Sequence, residues 1–383
     1  MDSNLPPALP KANIVVVGPI APFRGGIAQY NSLLLEACNT LALRTRFFSF
    51  KRQYPRWLYP GKSDRDPDLD GGHTEPGVRY TIDSVNPITW WRTAREIAGL
   101  EPDLVVFHWW TWFWAPCFLS MVWILRLRGT RIGMICHNLV DHDTRGIGAW
   151  ISRRIIGMAD VYLVHSSEHA ENLAMEWPDK AVAMHPIPVF GNYPAASGTL
   201  RKRGRIELLF FGFIRPYKGL DVLLDALELL KDEEIHLTVI GEYWGDPGEL
   251  IRRTEGYPGI QLHLGYMANA EAAEYFDRAD FVMLPYTSAT PSAVAAVAYH
   301  YDTPIIASRV AGIMDVVLDG QTGILFPANN PGALAEILRT VTRARSVELS
   351  AGIAQFKQRV NWESLCRALA GLANQATARA RGR

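Results

Sequence analysis

The sequence predicts an α/β protein of two doubly wound domains, each built on a parallel sheet, and three observations carry that prediction. Short apolar runs alternate with stretches of helical periodicity along almost the whole chain. Those runs end at Gly18, His108, His137, Ser166, Gly212, Gly241, Gly265 and Tyr286, residues suited to the carboxyl ends of parallel strands, where ligands bind. The alternation stops once, over 186–205 (PIPVFGNYPAASGTLRKRGR), a Pro/Gly/Ser-rich and then basic stretch that reads as an interdomain linker.

The elements follow in order. Residues 13–17 (NIVVV) form a strand, and the loop 18–26 (GPIAPFRGG) opens a helix from 27 to about 39. A second strand covers 43–50. The Pro/Gly/Asp-rich region 53–77 is too long for an ordinary connection and is read as functional or inserted. A helix over 88–98 follows Asn86-Pro87. Then come strand 104–108, a Trp-rich loop and a helix over 117–127. Strand 131–136, helix 147–158 and strand 161–165 complete the first half. The second half has strands at 208–211, 236–240, 260–264, 280–284, 304–307 and 323–326. Its helices lie at 220–230, 270–279 and 292–301, with more from about 331 onward.

At 383 residues the chain is long enough for two cores. The formal net charge is zero, so bulk electrostatics favour neither nucleic acid nor a strongly anionic membrane. Four cysteines are scattered without metal or disulfide spacing, which suggests a reduced, cytoplasmic protein. The N-terminus lacks the basic start and apolar middle of a signal peptide. Twelve tryptophans are present, several of them within 104–127 (LVVFHWWTWFWAPCFLSMVWILRL). That stretch nearly has the length of a membrane span, but His108 and Pro116 interrupt it, so it reads as strand, loop and helix.

Several places carry chemistry. Arg215 and Lys218 lie on the turn between strand 208–211 and helix 220–230, beside the positive end of that helix. They could hold a diphosphate or be two solvated cations on an ordinary loop. Gly25 and Gly26 at a helix start permit close approach of an anion or sugar. The loop is not the dinucleotide fingerprint, because Pro19 follows Gly18. Gly61-Lys62-Ser63 is not a P-loop, since Arg56 stands where a glycine is needed. His137 ends a strand and is placed for a polar substrate or for a structural bond; His108 and His165 share that placement. Ser288, Thr290 and Ser292 precede a small-residue helix and would bind a phosphate or sugar, or cap the helix. No His/Cys/Asp/Glu cluster has metal spacing.

With these pieces in place, the chain resembles the GT-B retaining glycosyltransferases of family four, the glycosyl transferases group 1. The resemblance rests on GPIAPFRGG at 18–26, CHNLVDHD at 136–143, FGFIRPYKG at 211–219, IGEYW at 240–244, FDRADFVMLPY at 276–286, AYHYDTPIIA at 298–307 and VAGIMDVVLDGQTG at 310–323. It implies two Rossmann-like domains facing across a cleft. The N-terminal, acceptor-side domain would be 13–190, the linker 191–205 and the C-terminal, nucleotide-sugar-binding domain 206–358. A helix over 359–375, starting near Asn361-Trp362-Glu363, would cross back to the N-terminal domain, and 1–12 and 376–383 would be flexible tails.

The resemblance further implies that Arg215 and Lys218 neutralise the donor diphosphate and that His137 sits near the transferred sugar. Gly25, Gly26, Gly212, Glu242, Tyr266, Met267, Ser288, Thr290 and Ser292 would contact the donor. His108, Trp109, Trp110 and Asn138 would face the acceptor. The family's usual pair of glutamates falls where this chain has Ala289 and Val297. The implied reaction is retaining transfer from a nucleoside diphosphate sugar to a glycan or lipid-linked acceptor, without metal or cofactor, in polysaccharide or envelope glycan assembly. The Trp-rich segment 109–114 lines an acceptor cleft, touches lipid headgroups at the inner face of a membrane, or belongs to the core. Three other readings stay open: a catalytically degenerate GT-B partner subunit, a GT-B epimerase or phosphorylase, and a nicotinamide-dependent enzyme.

Overall fold

The computed structural model describes residues 12–55, 63–69, 73–139, 146–230, 234–243, 246–288 and 291–381. They fall into two compact units, Met1–His185 with Trp362–Arg383, and Pro186–Asn361. Each unit is a parallel sheet with helices in its crossovers.

Unit 1 contains β1 (Ile14–Val17), α1 (Gly26–Thr40), β2 (Thr45–Arg52), β3 (Val78–Asp83), α2 (Pro87–Ala98) and β4 (Leu104–Trp109). It continues with α3 (Ala115–Arg126), β5 (Ile132–Cys136), α4 (Ile147–Ile156), β6 (Val161–Val164), α5 (Ser167–Glu176) and β7 (Ala181–Met184). The strand order is β3-β2-β1-β4-β5-β6-β7, and every pairing is parallel. Strands β1, β4, β5 and β6 are buried along their whole length, which explains why they read as continuous apolar runs. Asn86 caps α2 by accepting from the Ile88 N–H at 3.1 Å, with Pro87 at the first helical position. Ser166 caps α5 by accepting from the His169 N–H. The core packs Val105, Phe107 and Met134 of the sheet against Ala94, Phe118, Val122 and Ile155 of α2, α3 and α4.

Trp109 and Trp114 both lie in this core at 1% exposure. The core reading of the Trp-rich segment therefore holds for these two rings, and Trp109 has no free side chain to offer an acceptor. A single 3-10 turn, Trp112–Trp114, links β4 to α3. Among the described residues no helix is long and apolar enough to cross a membrane.

Unit 2 contains β8 (Ile206–Phe211), α6 (Leu220–Glu228), β9 (Ile235–Gly241), α7 (Gly248–Thr254), β10 (Ile260–Leu264) and α8 (Asn269–Arg278). It continues with β11 (Phe281–Leu284), α9 (Ala293–His300), β12 (Ile305–Ser308), β13 (Gly323–Phe326), α10 (Pro331–Thr340) and α11 (Arg343–Arg359). The strand order is β10-β9-β8-β11-β12-β13, again all parallel. The last helix, α12 (Trp362–Arg381), belongs to unit 1 and packs on α1 and β6.

At the amino end of the unit 2 sheet, charge is buried in a closed network. Arg278 Nε lies 3.4 Å from Glu207 Oε2, and Arg278 donates to Thr238 Oγ1 at 2.5 Å. Asp280, 1% exposed, pairs with Lys202 and with Arg343 and accepts from the Glu207 N–H at 2.8 Å. Removing one member of such a set strands a buried opposite charge, at about 3–5 kcal/mol. Arg278→Ala should lower the stability of unit 2 by that amount in a urea titration. An unchanged midpoint would show that the Arg278–Glu207 pair does not contribute to stability.

Candidate functional sites at the strand ends

In unit 2 the carboxyl ends of β8, β9 and β11 converge on one loop. Beyond Phe211 the chain passes through Gly212 (φ 99°), the 3-10 turn Pro216–Lys218 and Gly219 (φ 67°) into α6. A Cβ on Gly219 would fall 1.9 Å from the Pro285 carbonyl oxygen, so only glycine fits both that torsion and that approach. The Thr287 N–H donates to the Tyr217 carbonyl at 2.8 Å, tying the loop after β11 to the same turn. The Ile214 N–H donates to the Glu242 carbonyl at 2.9 Å, tying in the end of β9.

This bracing buries Lys218, which is 8% exposed. Its ammonium lies 5.7 Å from the centroid of the Tyr286 ring and 3.0 Å from where a Cβ on Gly212 would sit. Among the described residues it has no carboxylate within ion-pair distance. Burial, followed by repulsion from the Arg215 cation, pushes its pKa down from 10.5 to about 8. A desolvated ammonium above a glycine, with a second cation on the same turn, is arranged to receive an anion.

The start of α9 joins the same place. Val294 Cγ2 is 3.3 Å from the Gly212 Cβ position. Ser292 occupies the N-cap position of α9, but its hydroxyl makes no capping bond; it pairs with the Tyr286 hydroxyl at 3.1 Å. Tyr286 thus touches both Lys218 and Ser292, a role beyond the strand end that its place in the sequence suggests. Ser288 is exposed on the loop before α9, while Thr290 and Ala289 lie outside the described residues, as do His142, Asp143 and Trp244. Val297, at one of the glutamate positions, is 2% exposed inside α9, and α9 carries no carboxylate. Gly265 ends β10 at φ 155° with open space where its Cβ would be, and Tyr266 beside it is 40% exposed with Met267 half-buried.

Unit 1 gathers histidines at its own strand ends. His108 is the last residue but one of β4, His137 follows β5 and His165 follows β6; parallel register sets His137 beside His165, and His108, level with Ile135, reaches His137 diagonally. Tyr30 of α1 packs edge-on against all three rings and against Trp362 of α12. His108 Nδ1 and His137 Nε2 share a hydrogen bond at 2.9 Å, which leaves His137 Nδ1 for another partner. His165 Nδ1 donates to the His185 carbonyl at 2.7 Å. The Nε2 atoms of His108 and His165 and the Tyr30 hydroxyl are buried without a hydrogen-bond partner among the described residues. Burial and mutual repulsion lower His108 to about 3, burial lowers His165 to about 4, and burial with the His108 and His165 charges holds His137 well below its usual value. All three are therefore neutral at pH 7.

Around this cluster, a Cβ on Gly18 would lie 2.9 Å from both Asn31 Nδ2 and His108 Cδ2, so the first loop rests directly on the histidines. Gly25 turns at φ 104° with nothing near its Cβ position, and Gly26 begins α1. Residues 63–66 brace that loop: the Arg24 N–H donates to the Asp64 carbonyl and the Asp66 N–H to the Pro22 carbonyl. The described part of the 53–77 insertion thus supports the Gly25-Gly26 loop. His108 is fully buried, Trp110 is half-buried with its indole N–H on the Tyr54 hydroxyl, and Asn138 donates to the Trp110 carbonyl at 3.2 Å. The structure brings His108, His137, Trp110 and Asn138 together in unit 1, and Gly212, Arg215, Lys218 and Ser292 together in unit 2.

Residues 205–343 match the family model for glycosyl transferases group 1. Over 258 residues the chain is 28% identical to the D-inositol 3-phosphate glycosyltransferase of Streptomyces scabiei, covering 61% of this chain and 58% of that protein. Over 311 residues it is 26% identical to the Streptomyces coelicolor protein of the same name, covering 70% and 68%. The chain thus spans little more than half the length of several of these relatives. Among solved structures, sucrose-phosphate synthase from Thermosynechococcus elongatus superposes with a TM-score of 0.69 at 19% identity, covering 96% of this chain and 99% of that one. Anabaena HepE in complex with UDP and glucose superposes with a TM-score of 0.69 at 13% identity, covering 94% and 99%. Residues 205–343 thus match the glycosyl transferases group 1, and the two parallel-sheet units have the GT-B fold.

Proposed function

We propose that this protein is a retaining glycosyltransferase that takes a sugar from a nucleoside diphosphate donor. The observation that carries this reading is Lys218, a buried ammonium without a carboxylate partner among the described residues, held over Gly212 at the end of β8 within the family-matched segment. Unit 2 takes the donor. Lys218, Arg215 and the N–H groups at the start of α9 stabilise the negative charge that grows on the leaving diphosphate. Gly212, Glu242, Tyr266 and Met267 line the strand ends where the nucleoside lies, and Ser288, Thr290 and Ser292 supply hydroxyls to the sugar. The bond from the anomeric carbon to the phosphate oxygen breaks as the acceptor oxygen bonds on the same face, and the acceptor proton passes to the departing phosphate oxygen. No metal is assigned a step.

Unit 1 takes the acceptor. Neutral His137, oriented through His108, offers Nδ1 to a hydroxyl, with Gly25, Gly26, Trp110 and Asn138 around it. We assign the acceptor to a glycan or lipid-linked glycan in polysaccharide or envelope assembly, working from the cytoplasmic side. The Streptomyces relatives are named for inositol 3-phosphate, which makes that compound the comparison substrate.

A melting screen over nucleoside diphosphate sugars tests the reading. A ligand at a hundred times its Kd adds about 2.7 kcal/mol of stability, several degrees in melting temperature, and one base and sugar should stand out. That donor should then support transfer. No shift with any nucleotide sugar would reject the donor assignment. A shift without turnover on any acceptor would favour a degenerate binding subunit, the reading that the carboxylate-free α9 supports.

A further inference from the structure

Helices α2, α3 and α4 lie side by side in unit 1, and their outward faces are apolar where a solvated helix would be polar. On α2, Ile88 is 59% and Trp91 49% exposed. Along α3 and its C-cap the ridge Leu119, Trp123 and Leu127 is 37%, 61% and 66% exposed at four-residue spacing. On α4, Ile147 and Trp150 are 77% and 59% exposed. A groove between α2 and α3 joins them, lined by Trp90, Trp91, Leu119, Trp123 and Ile124, with Met158 beyond α4 at one end. These are not the tryptophans of the 109–114 segment, whose Trp109 and Trp114 are core.

Charge selects the occupant. The three helices carry five arginines, at 92, 95, 126, 153 and 154, against one acid, Glu96. Glu96 is engaged by Arg79, while Arg126 and Arg153 pair with Asp160 and Glu176. Among the described residues Arg92, Arg95 and Arg154 have no acidic partner, and Arg128 follows α3 in the same condition. Arg95 lies over the Trp91 ring at 4.7 Å and Arg154 over the Trp150 ring at 5.2 Å. An exposed indole backed by a guanidinium suits a layer that is apolar below and anionic at its surface. A second copy of this chain would set these arginines against themselves across a twofold axis.

We infer that the outer face of α2, α3 and α4 docks on an anionic lipid surface, with Trp91, Trp123 and Trp150 in the headgroup boundary and Arg92, Arg95 and Arg154 on the lipid charge. The chain is neutral overall, so this attraction is local to the face and screened by salt. Such a face would keep the acceptor unit at a bilayer that carries a lipid-linked acceptor. The docking is independent of the proposed transfer and is measured without nucleotide.

Vesicle flotation tests it. The full chain should float with phosphatidylcholine–phosphatidylglycerol vesicles, bind neutral phosphatidylcholine weakly, and lose binding as salt rises. Trp91→Ala, Trp123→Ala and Trp150→Ala combined should weaken binding about tenfold or more. Arg92→Gln, Arg95→Gln and Arg154→Gln combined should weaken it roughly tenfold to a hundredfold and flatten the salt dependence. Trp123→Glu alone, at a solvent-exposed position that leaves the core untouched, should repel anionic vesicles with an unchanged melting temperature. The inference is overturned if the wild-type chain does not float with anionic vesicles, if Trp123→Glu binds like wild type, or if the face proves to be a dimer contact that the tryptophan variants dissolve.

Discussion

Lys218→Ala is expected to lower kcat/KM for sugar transfer by about a hundredfold to a thousandfold while the protein stays folded, the loss typical of removing one preorganised group from developing negative charge. The stability half of this expectation follows from burial. The folded pKa of Lys218 lies at about 8 against 10.5 for a lysine free in water, so protonation in the fold is disfavoured on the order of 3 kcal/mol. Between pH 8 and 10.5 the unfolded chain binds the proton more tightly than the fold, so stability rises with pH across that window. Below pH 8 the full penalty is present. Alanine removes it and leaves a small cavity in return, so the melting temperature should hold or rise at about pH 7. A diphosphate at this position relieves the same penalty, because it pairs the charge that burial isolates.

A pH profile separates this role from a packing role. The free enzyme holds Lys218 as a cation only below about pH 8, so kcat/KM should fall about tenfold per unit above that value. Lys218→Arg keeps its charge and should carry the alkaline limb to higher pH, at some loss of rate from its longer, planar head. An alanine variant with wild-type kcat/KM, or an alkaline limb unmoved in the arginine variant, would remove the diphosphate from this site.

How much of this is legible in the sequence depends on how well each element stands apart from its flanking segments. The central strands β1, β4, β5, β6, β8, β9 and β11 are readable because helices cover both faces and leave an uninterrupted apolar run. Of the edge strands, β10 and β13 are readable, whereas β3 and β7 are not. VRYTID alternates Val78, Tyr80 and Ile82 with polar residues and AVAM is a short apolar run, but each adjoins a long Pro- and Gly-rich stretch that masks it as a separate element. Helices α5 and α7 also escape notice, one polar (SEHAENLAME) and one of seven residues. The turn holding Arg215 and Lys218 is visible because strand, glycine, cations and helix are contiguous. Tyr30 is invisible as a site residue, since it reaches the histidines through contacts distant in the chain, and Tyr286 is legible as a strand end but not in its contact with Lys218. Ser292 is readable at the start of α9, but only the fold shows its hydroxyl turned to Tyr286.

Acid should destabilise unit 1 from about pH 6.5 downward, before most carboxylates protonate, and the histidine cluster is the cause. His108, at about 3, and His165, at about 4, stand well below the ordinary value of 6.5, and His137 is displaced in the same direction. Each binds a proton in the unfolded chain before it does so in the fold. The unfolding free energy therefore increases with pH between the two values, and stability is lost as pH falls below 6.5, down to about 4 for His165 and about 3 for His108. At about pH 5 His108 and His165 have each forfeited about 2 kcal/mol, about 4 kcal/mol together, and His137 acts in the same direction. Set against about 5–15 kcal/mol for a typical domain, that loss is enough to bring unit 1 to the edge of unfolding. Among the described residues no carboxylate faces the cluster to retain the protons: the groups packed on it are Tyr30, Trp362 and the neighbouring His169 and His185. His165→Asn keeps a nitrogen donor near the His185 carbonyl and removes the titration. It should lose some stability at about pH 7.5 through poorer packing, yet show a difference between about pH 7.5 and pH 5 that is about 2 kcal/mol smaller than wild type in urea titrations. If both proteins fall by the same amount, the imidazole of His165 is charged in the fold, and the neutral state assigned to His137 beside it falls with that result.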